Sequence, residues 1–249
     1  MKKITALIMS LLMITSLAAC GSNEADTSAP ADLESDETES VQTSEPESAP
    51  SSEPESETAG GSGSNTLVVY FSMPETTNPD ESSMTEEERN STVIIDGEAL
   101  GNTQYVAYVI QENTGADLFR IEPEVPYPTD HDTLVDQAAE EQDNGARPAI
   151  KDTIENFDQY DTVFVGYPNW WGDMPMILYT FFDTYDCSGK TIIPFNTHGG
   201  SGFSNTIDTI AELEPDATIY EDGFTVSRNN VQEAEPDIVD WLKDAGYAK

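Results

Sequence analysis

The chain has 249 residues, room for one ordinary domain or two small ones. Its 10 Lys plus Arg stand against 48 Asp plus Glu, a formal net charge of −38, which argues against a nucleic-acid binder and against adsorption to anionic lipid. With only Cys20 and Cys187, neither a disulfide scaffold nor a zinc cluster of thiolates can be built.

The N-terminal segment reads as an export signal. Lys2 and Lys3 precede an apolar run of 14 residues, Ile4 to Leu17, broken only by Thr and Ser. That is short for a bilayer span and suits a cleaved secretory segment over residues 1–19. The ending Leu17-Ala18-Ala19-Cys20 resembles the lipobox of bacterial lipoproteins. The resemblance implies lipidation of Cys20 and anchoring in the cell membrane on its extracytoplasmic face, since two or more acyl chains hold stably where one does not. The alternative is an ordinary signal peptide with a cysteine there by chance.

Residues 20–65 follow as a tether. From 21 to 65 there are 12 acidic side chains and no Lys or Arg, and Ser44-Glu45-Pro46-Glu47-Ser48 recurs as Ser52-Glu53-Pro54-Glu55-Ser56. No apolar face can form there, so disorder is expected, extended by proline and self-repulsion. Full stretch would reach roughly 150 Å.

Residues 66–249 form the working domain, with 36 acidic and 8 basic residues and a net of −28. Leu67-Val68-Val69-Tyr70-Phe71 is a continuous apolar run, as in buried parallel strands. A polar stretch, 72–101, separates it from the first long helix; a loop of that length is usually functional or disordered. Within it, Thr92-Val93-Ile94-Ile95 before Asp96-Gly97 suggests a small strand and turn. Val106, Val109 and Ile110 mark a helix over 102–113. Ala116 to Ile121 alternates like an edge strand. Leu134, Val135 and Ala138 mark a helix in 130–142. Asp161 to Gly166 is a buried strand, followed by a helix over 174–185 with Met176, Ile177, Tyr179 and Phe182. Thr191 to Phe195 is another buried strand, followed by a helix over 204–213. Ala217 to Tyr220 is a weaker strand, and Val231 to Ala245 carries helical spacing. Strands alternating with helices imply βαβ units and a parallel sheet covered on both faces.

In such a sheet, ligands bind beyond the carboxyl ends of the strands. After the first strand comes Ser72, then the insertion, then Gly101-Asn102-Thr103 opening a helix, a place for an anion. No Lys or Arg lies close by in sequence, so neutral donors and the helix dipole would hold a phosphate. After the third strand comes Pro168-Asn169-Trp170-Trp171-Gly172, a flat apolar wall. After the fourth comes Thr197-His198-Gly199-Gly200-Ser201-Gly202, whose small side chains let backbone N–H groups approach a ligand edge. Phosphate cradle, aromatic wall and backbone-lined edge together describe a flavin mononucleotide (FMN) site.

These segments resemble the flavodoxin-like superfamily, in its branch of small bacterial flavodoxin-like proteins. The strongest stretch is Asp161 to Phe203, with Gly-Tyr-Pro-Asn-Trp-Trp-Gly at 166–172; Tyr127-Pro128 also fits. The resemblance implies a three-layer α/β/α sandwich around a five-stranded parallel sheet in order 2-1-3-4-5. It also implies FMN as cofactor, with Ser72, Gly101, Asn102 and Thr103 on its phosphate. Residues 168–172 and 197–202 would then form the two flavin loops. One departure stands out. The family's phosphate loop is contiguous, whereas here 28 residues separate Ser72 from Gly101. The loop can close only if the insertion leaves and returns at nearly the same point.

His198 has two readings, polarising a flavin carbonyl or donating a proton, and a hydrogen-bonded loop residue. His131 reads as a surface residue near a helix start, and Cys187 as a small structural residue. A nucleophile elbow around Ser201 fails, because Phe203 follows Gly202. No acidic spacing singles out a metal site. Three functions compete. The first is a membrane-tethered FMN electron carrier, serving a redox partner protein or small acceptor. The second is an FMN-dependent NAD(P)H:quinone-type oxidoreductase, and the third a non-flavin surface interaction module.

Overall fold

The computed structural model describes residues 65–249. The expected signal segment, Cys20 and the tether through residue 64 lie outside the described residues.

The apolar runs become strands β1 (Thr66–Tyr70), β5 (Thr162–Pro168) and β6 (Thr191–His198), and the alternating segment becomes β4 (Asp117–Arg120). All pair in parallel, in the order β4-β1-β5-β6. This is the expected order of strand positions, with one difference at the last. The fifth position is shared by β7 (Thr218–Ile219), beside the start of β6, and β8 (Phe224–Ser227), beside its end. The break faces Pro194, which has no N–H to give to a ladder. A Cβ on Gly223 would also overlap the Pro194 carbonyl oxygen.

Side chains alternate across the sheet with a period of two. Leu67, Val69 and Phe71 join one core cluster with Val163, Val165, Ile177 and Phe181. Val68 and Tyr70 join the other with Val106, Ile110, Phe164 and Leu242. The helices α3 (His131–Asn144), α4 (Met176–Thr184) and α5 (Thr206–Leu213) contribute to the first face. The helices α2 (Asn102–Thr114) and α6 (Glu235–Asp244) contribute to the second. The final helical pattern is interrupted: residues 231–233 form a 3-10 turn, and α6 starts afterwards with Pro236 in its first turn.

The insertion is a folded part of this domain. Thr85 and Glu88 make a reciprocal capping box that starts α1 (Glu86–Ser91). Next comes an antiparallel hairpin, β2 (Thr92–Ile95) and β3 (Glu98–Gly101). Its turn residues Asp96 and Gly97 have φ of 52° and 86°, the left-handed pair that a two-residue hairpin favours. Val93 is buried in the α2–α6 core, and Gln232 Nε2 donates to the Ile94 carbonyl at 3.4 Å. Among the described residues, no helix is long and apolar enough to cross a membrane.

Candidate functional site

The carboxyl ends of β1, β5, β6 and β8 meet at one edge of the sheet. Ser72 leaves β1 there, and the hairpin returns the chain to the same point at Gly101. A Cβ on Gly101 would overlap the Ser72 hydroxyl and lie 3.1 Å from Pro74 Cδ. The two ends of the insertion therefore touch, and a side chain at residue 101 would have to displace the Ser72 hydroxyl and crowd Pro74. Its N–H donates to Gln104 Oε1 at 3.2 Å, so the first turn of α2 closes on itself.

Ser72, Asn102 and Thr103 are buried around the start of α2. The first N–H groups of a helix lack intrahelical acceptors and carry the positive end of its dipole. Thr103 Oγ1 lies 2.9 Å from Thr197 Oγ1, which ties this cradle to the end of β6. Asn102 Nδ2 donates to the Asn90 carbonyl at 2.8 Å, which ties it to the insertion. Asn102 Oδ1 is buried with no hydrogen-bond partner among the described residues. A buried acceptor without a donor costs about 1–3 kcal/mol. The cradle thus keeps one acceptor for a donor-bearing ligand.

Beyond β5 the chain makes a tight turn. The Trp170 N–H donates to the Asp173 carbonyl at 2.8 Å and the Asp173 N–H returns the bond at 3.0 Å. The central residues Trp171 and Gly172 have φ of 54° and 81°. A left-handed tryptophan costs about 1–2 kcal/mol. The turn splits the aromatic pair. Trp170 packs edge-on against Phe71 at 5.5 Å and Tyr127 at 5.7 Å. Trp171 is 61% exposed and donates through Nε1 to the Val135 carbonyl at 3.2 Å. Trp170 is therefore the half-buried member of the pair and Trp171 the exposed one.

Beyond β6 the loop is pinned from beneath. Asn169 Nδ2 and Asn196 Nδ2 both donate to the Gly202 carbonyl, at 3.0 and 2.9 Å. The Gly200 N–H donates to His198 Nδ1 at 2.8 Å. That bond leaves the ring proton of neutral His198 on Nε2, and burial pushes the pKa of this histidine down. His198 is thus hydrogen-bonded at the end of β6, with one N–H left to offer.

The edge encloses a cleft of about 290 Å³. Of the expected residues, Ser72, Asn102, Thr103, Pro168, Asn169, Trp170, Trp171, Thr197, His198 and Gly199 line it. Gly101 backs Ser72, and Gly172, Gly200, Ser201 and Gly202 shape the turns without lining the cleft. Sequence reasoning missed the rest of the wall. Glu75 and Glu87 come from the insertion, and His131, Leu134, Val135 and Ala138 from α3. His131 Nδ1 pairs with Glu75 Oε1 at 2.9 Å. The hydrogen bond to Glu75 raises the His131 pKa against the effect of burial, helped by the charges of Glu75, Glu87 and Asp132. The apolar stripe of α3 therefore serves the cleft as well as the core. The fold also brings to the cleft a cation that is distant from the cradle in sequence. Arg228, one residue past β8, lines the cleft, and its backbone N–H donates to the His198 carbonyl at 2.8 Å.

A family model described as flavodoxin matches residues 93–245, more than half of the chain. The chain belongs to the flavodoxin family. A crystal structure of a putative flavoprotein from Bacteroides eggerthii is 30% identical, with a TM-score of 0.53 over 72% of this chain and 96% of that one. A putative flavoprotein from Bacteroides uniformis is 25% identical, with a TM-score of 0.52 over 73% and 99%. A Lactobacillus acidophilus flavoprotein, solved in complex with FMN, is 19% identical, with a TM-score of 0.46 over 68% and 96%. No curated protein matches the chain. The family match begins inside the hairpin at Val93, so it leaves out β1 and Ser72, which the fold returns to the cradle.

Proposed function

We propose that this cleft binds FMN and that the chain is a flavin electron carrier, anchored through Cys20 on the outer face of the cell membrane. The contact between Ser72 and Gly101 carries the reading. A 28-residue insertion would ordinarily destroy a phosphate loop, yet here its two ends meet and leave Ser72, Asn102 and Thr103 around one helix N-terminus. The donor set fits a phosphate, and the orphaned Asn102 Oδ1 fits a hydroxyl donor such as those of a ribityl chain. Trp171 offers a face to a ring, and His198 Nε2–H and the Gly199 backbone offer polar contacts to its edge. When bound, the flavin would supply the electron chemistry, and the protein orientation and electrostatics. The lipobox-like Leu17-Ala18-Ala19-Cys20 and the acidic tether support the anchoring.

Titrating the purified full chain with FMN, read by flavin fluorescence, tests the reading. Near-stoichiometric binding with strong quenching is expected. A folded chain that takes up no FMN overturns it and leaves a surface module on a flavodoxin scaffold. Incorporation of labelled palmitate into the wild type but not into Cys20→Ala tests the anchor.

A further inference from the structure

We propose that the Glu75–His131 pair is a clasp. It holds residues 73–91 of the insertion onto α3 across the cleft while His131 is charged, and lets them open and release the ligand when His131 is neutral. The proposal rests on the FMN reading above for the ligand held, but the opening itself can be measured without flavin.

Two separate elements wall the cleft. Met73, Glu75, Glu87 and Asn90 line it from the insertion, and Leu134 and Val135 from α3. Among the described residues, a single hydrogen bond joins residues 73–91 to α3, between His131 Nδ1 and Glu75 Oε1 at 2.9 Å. The rest of the segment is held at its ends. Met73 packs against the first core cluster, and the Asn90 carbonyl accepts from Asn102 Nδ2. Between them α1 buries none of its residues, and Met84, though buried, joins neither core cluster. The Glu75 N–H donates to Ser91 Oγ at 3.0 Å, which ties α1 to Glu75. A ligand seated between the walls is retained while the clasp joins them.

The charges make the clasp depend on one proton. The Glu75 side chain is only 8% exposed. A carboxylate so far out of water needs a counter-charge, and loss of that charge leaves a buried anion alone. The other groups around the pair are acidic. His131 faces Glu75 and Glu87 from the insertion, and Asp130 and Asp132 from its own segment. His198 and Arg228 line the same cleft from the β6 and β8 ends. The start of α3 also carries the positive end of the helix dipole, which opposes a cation there unless Glu75 is beside it. With His131 charged, the pair draws the walls together. With His131 neutral, the Nδ1–H bond loses its charge assistance, and Glu75 and Glu87 meet Asp130 and Asp132 as like charges. The hydrogen bond to Glu75 raises the His131 pKa, so the clasp is complete below 6.5 and weakens as pH rises through the raised value.

The experiment uses the full chain. FMN release is timed by recovery of flavin fluorescence between about pH 6 and about pH 9. The wild-type rate should rise about fivefold or more across that range, with its midpoint at that of the His131 ring. His131→Gln should release FMN fast throughout, with any residual slope due to ionisation of the phosphate itself. Glu75→Gln separates the clasp from a direct pull of His131 on the phosphate. The clasp requires faster release at about pH 6, whereas a direct pull requires slower release, because a carboxylate has left the cleft. In the flavin-free chain, amide exchange corrected for its intrinsic rate reads the opening. Protection of Glu86–Ser91 should fall as pH rises in the wild type and stay low in His131→Gln. Protection of Asn102–Thr114 should stay constant, which shows the fold intact. Protection of α1 that ignores pH overturns the clasp, as does slower release from Glu75→Gln. Failure of FMN uptake while α1 protection still follows pH overturns the flavin reading and leaves the clasp standing.

Discussion

Gly101 has φ near −67°, so its glycine is not there for backbone freedom. It is there because Ser72 and Pro74 occupy the space of a side chain. Gly101→Ala is therefore expected to leave helix α2 intact and force the insertion's ends apart. FMN affinity should fall about tenfold, ~1.4 kcal/mol, measured by titration beside an unchanged far-UV spectrum. The His131–Glu75 pair has a defined pH sign. The histidine pKa is raised in the fold, so the pair's contribution is complete below the ordinary value of 6.5 and is lost as pH rises through the raised one. Proton NMR of the ring should show that raised midpoint, and Glu75→Gln should bring it back toward 6.5. Cys187 behaves differently: burial, with Glu214 nearby, pushes its thiol up to about 12. It should resist a thiol reagent at neutral pH until the chain unfolds.

Among the elements, the β2–β3 hairpin decides how the insertion is tolerated. Its turn is a two-residue left-handed pair, so its strands need no outside template to register. Val93 then fastens it to the α2–α6 core. Val93→Ala should cost about 2 kcal/mol, read from the urea midpoint. FMN affinity should fall with it, because a loosened hairpin no longer delivers Gly101 to Ser72. The turn at Trp170–Asp173 is a strained element, because Trp171 holds a φ of 54°. It turns one tryptophan into the core and leaves the next exposed, a division that adjacency in sequence does not reveal.

The whole molecule carries its charge unevenly. Residues 66–249 hold a net of −28, and their ion pairs are few and mostly exposed. Self-repulsion then opposes compaction, and salt relieves it over a Debye length of about 8 Å at 0.15 M. Raising ionic strength from low salt to that level should raise the thermal midpoint by about 2–4 °C, corresponding to ~1 kcal/mol for a domain of this size. A fall would show that specific exposed pairs outweigh the general repulsion.

The sequence by itself determined the first four strands of the sheet, their parallel character and the three segments at the sheet edge, while the strand order came from the family resemblance. Apolar runs such as Leu67–Phe71 and Asp161–Gly166 can be satisfied only in a sheet covered on both faces. The segments that leave the carboxyl ends of parallel strands must then gather at one edge. Tertiary structure alone decided which further groups join those segments in the cleft. His131 and Glu75 are 56 residues apart, and Arg228 is far from both in sequence. Their meeting depends on where α3, the insertion and the divided fifth strand come to rest. Local propensity carries no information about that, because the contacts are made across elements. The α3 stripe shows the limit most plainly. Leu134, Val135 and Ala138 at helical spacing mark an apolar face, but the same pattern serves a core and a ligand floor. Only packing against the insertion, with the His131–Glu75 dyad beside it, distinguishes the two.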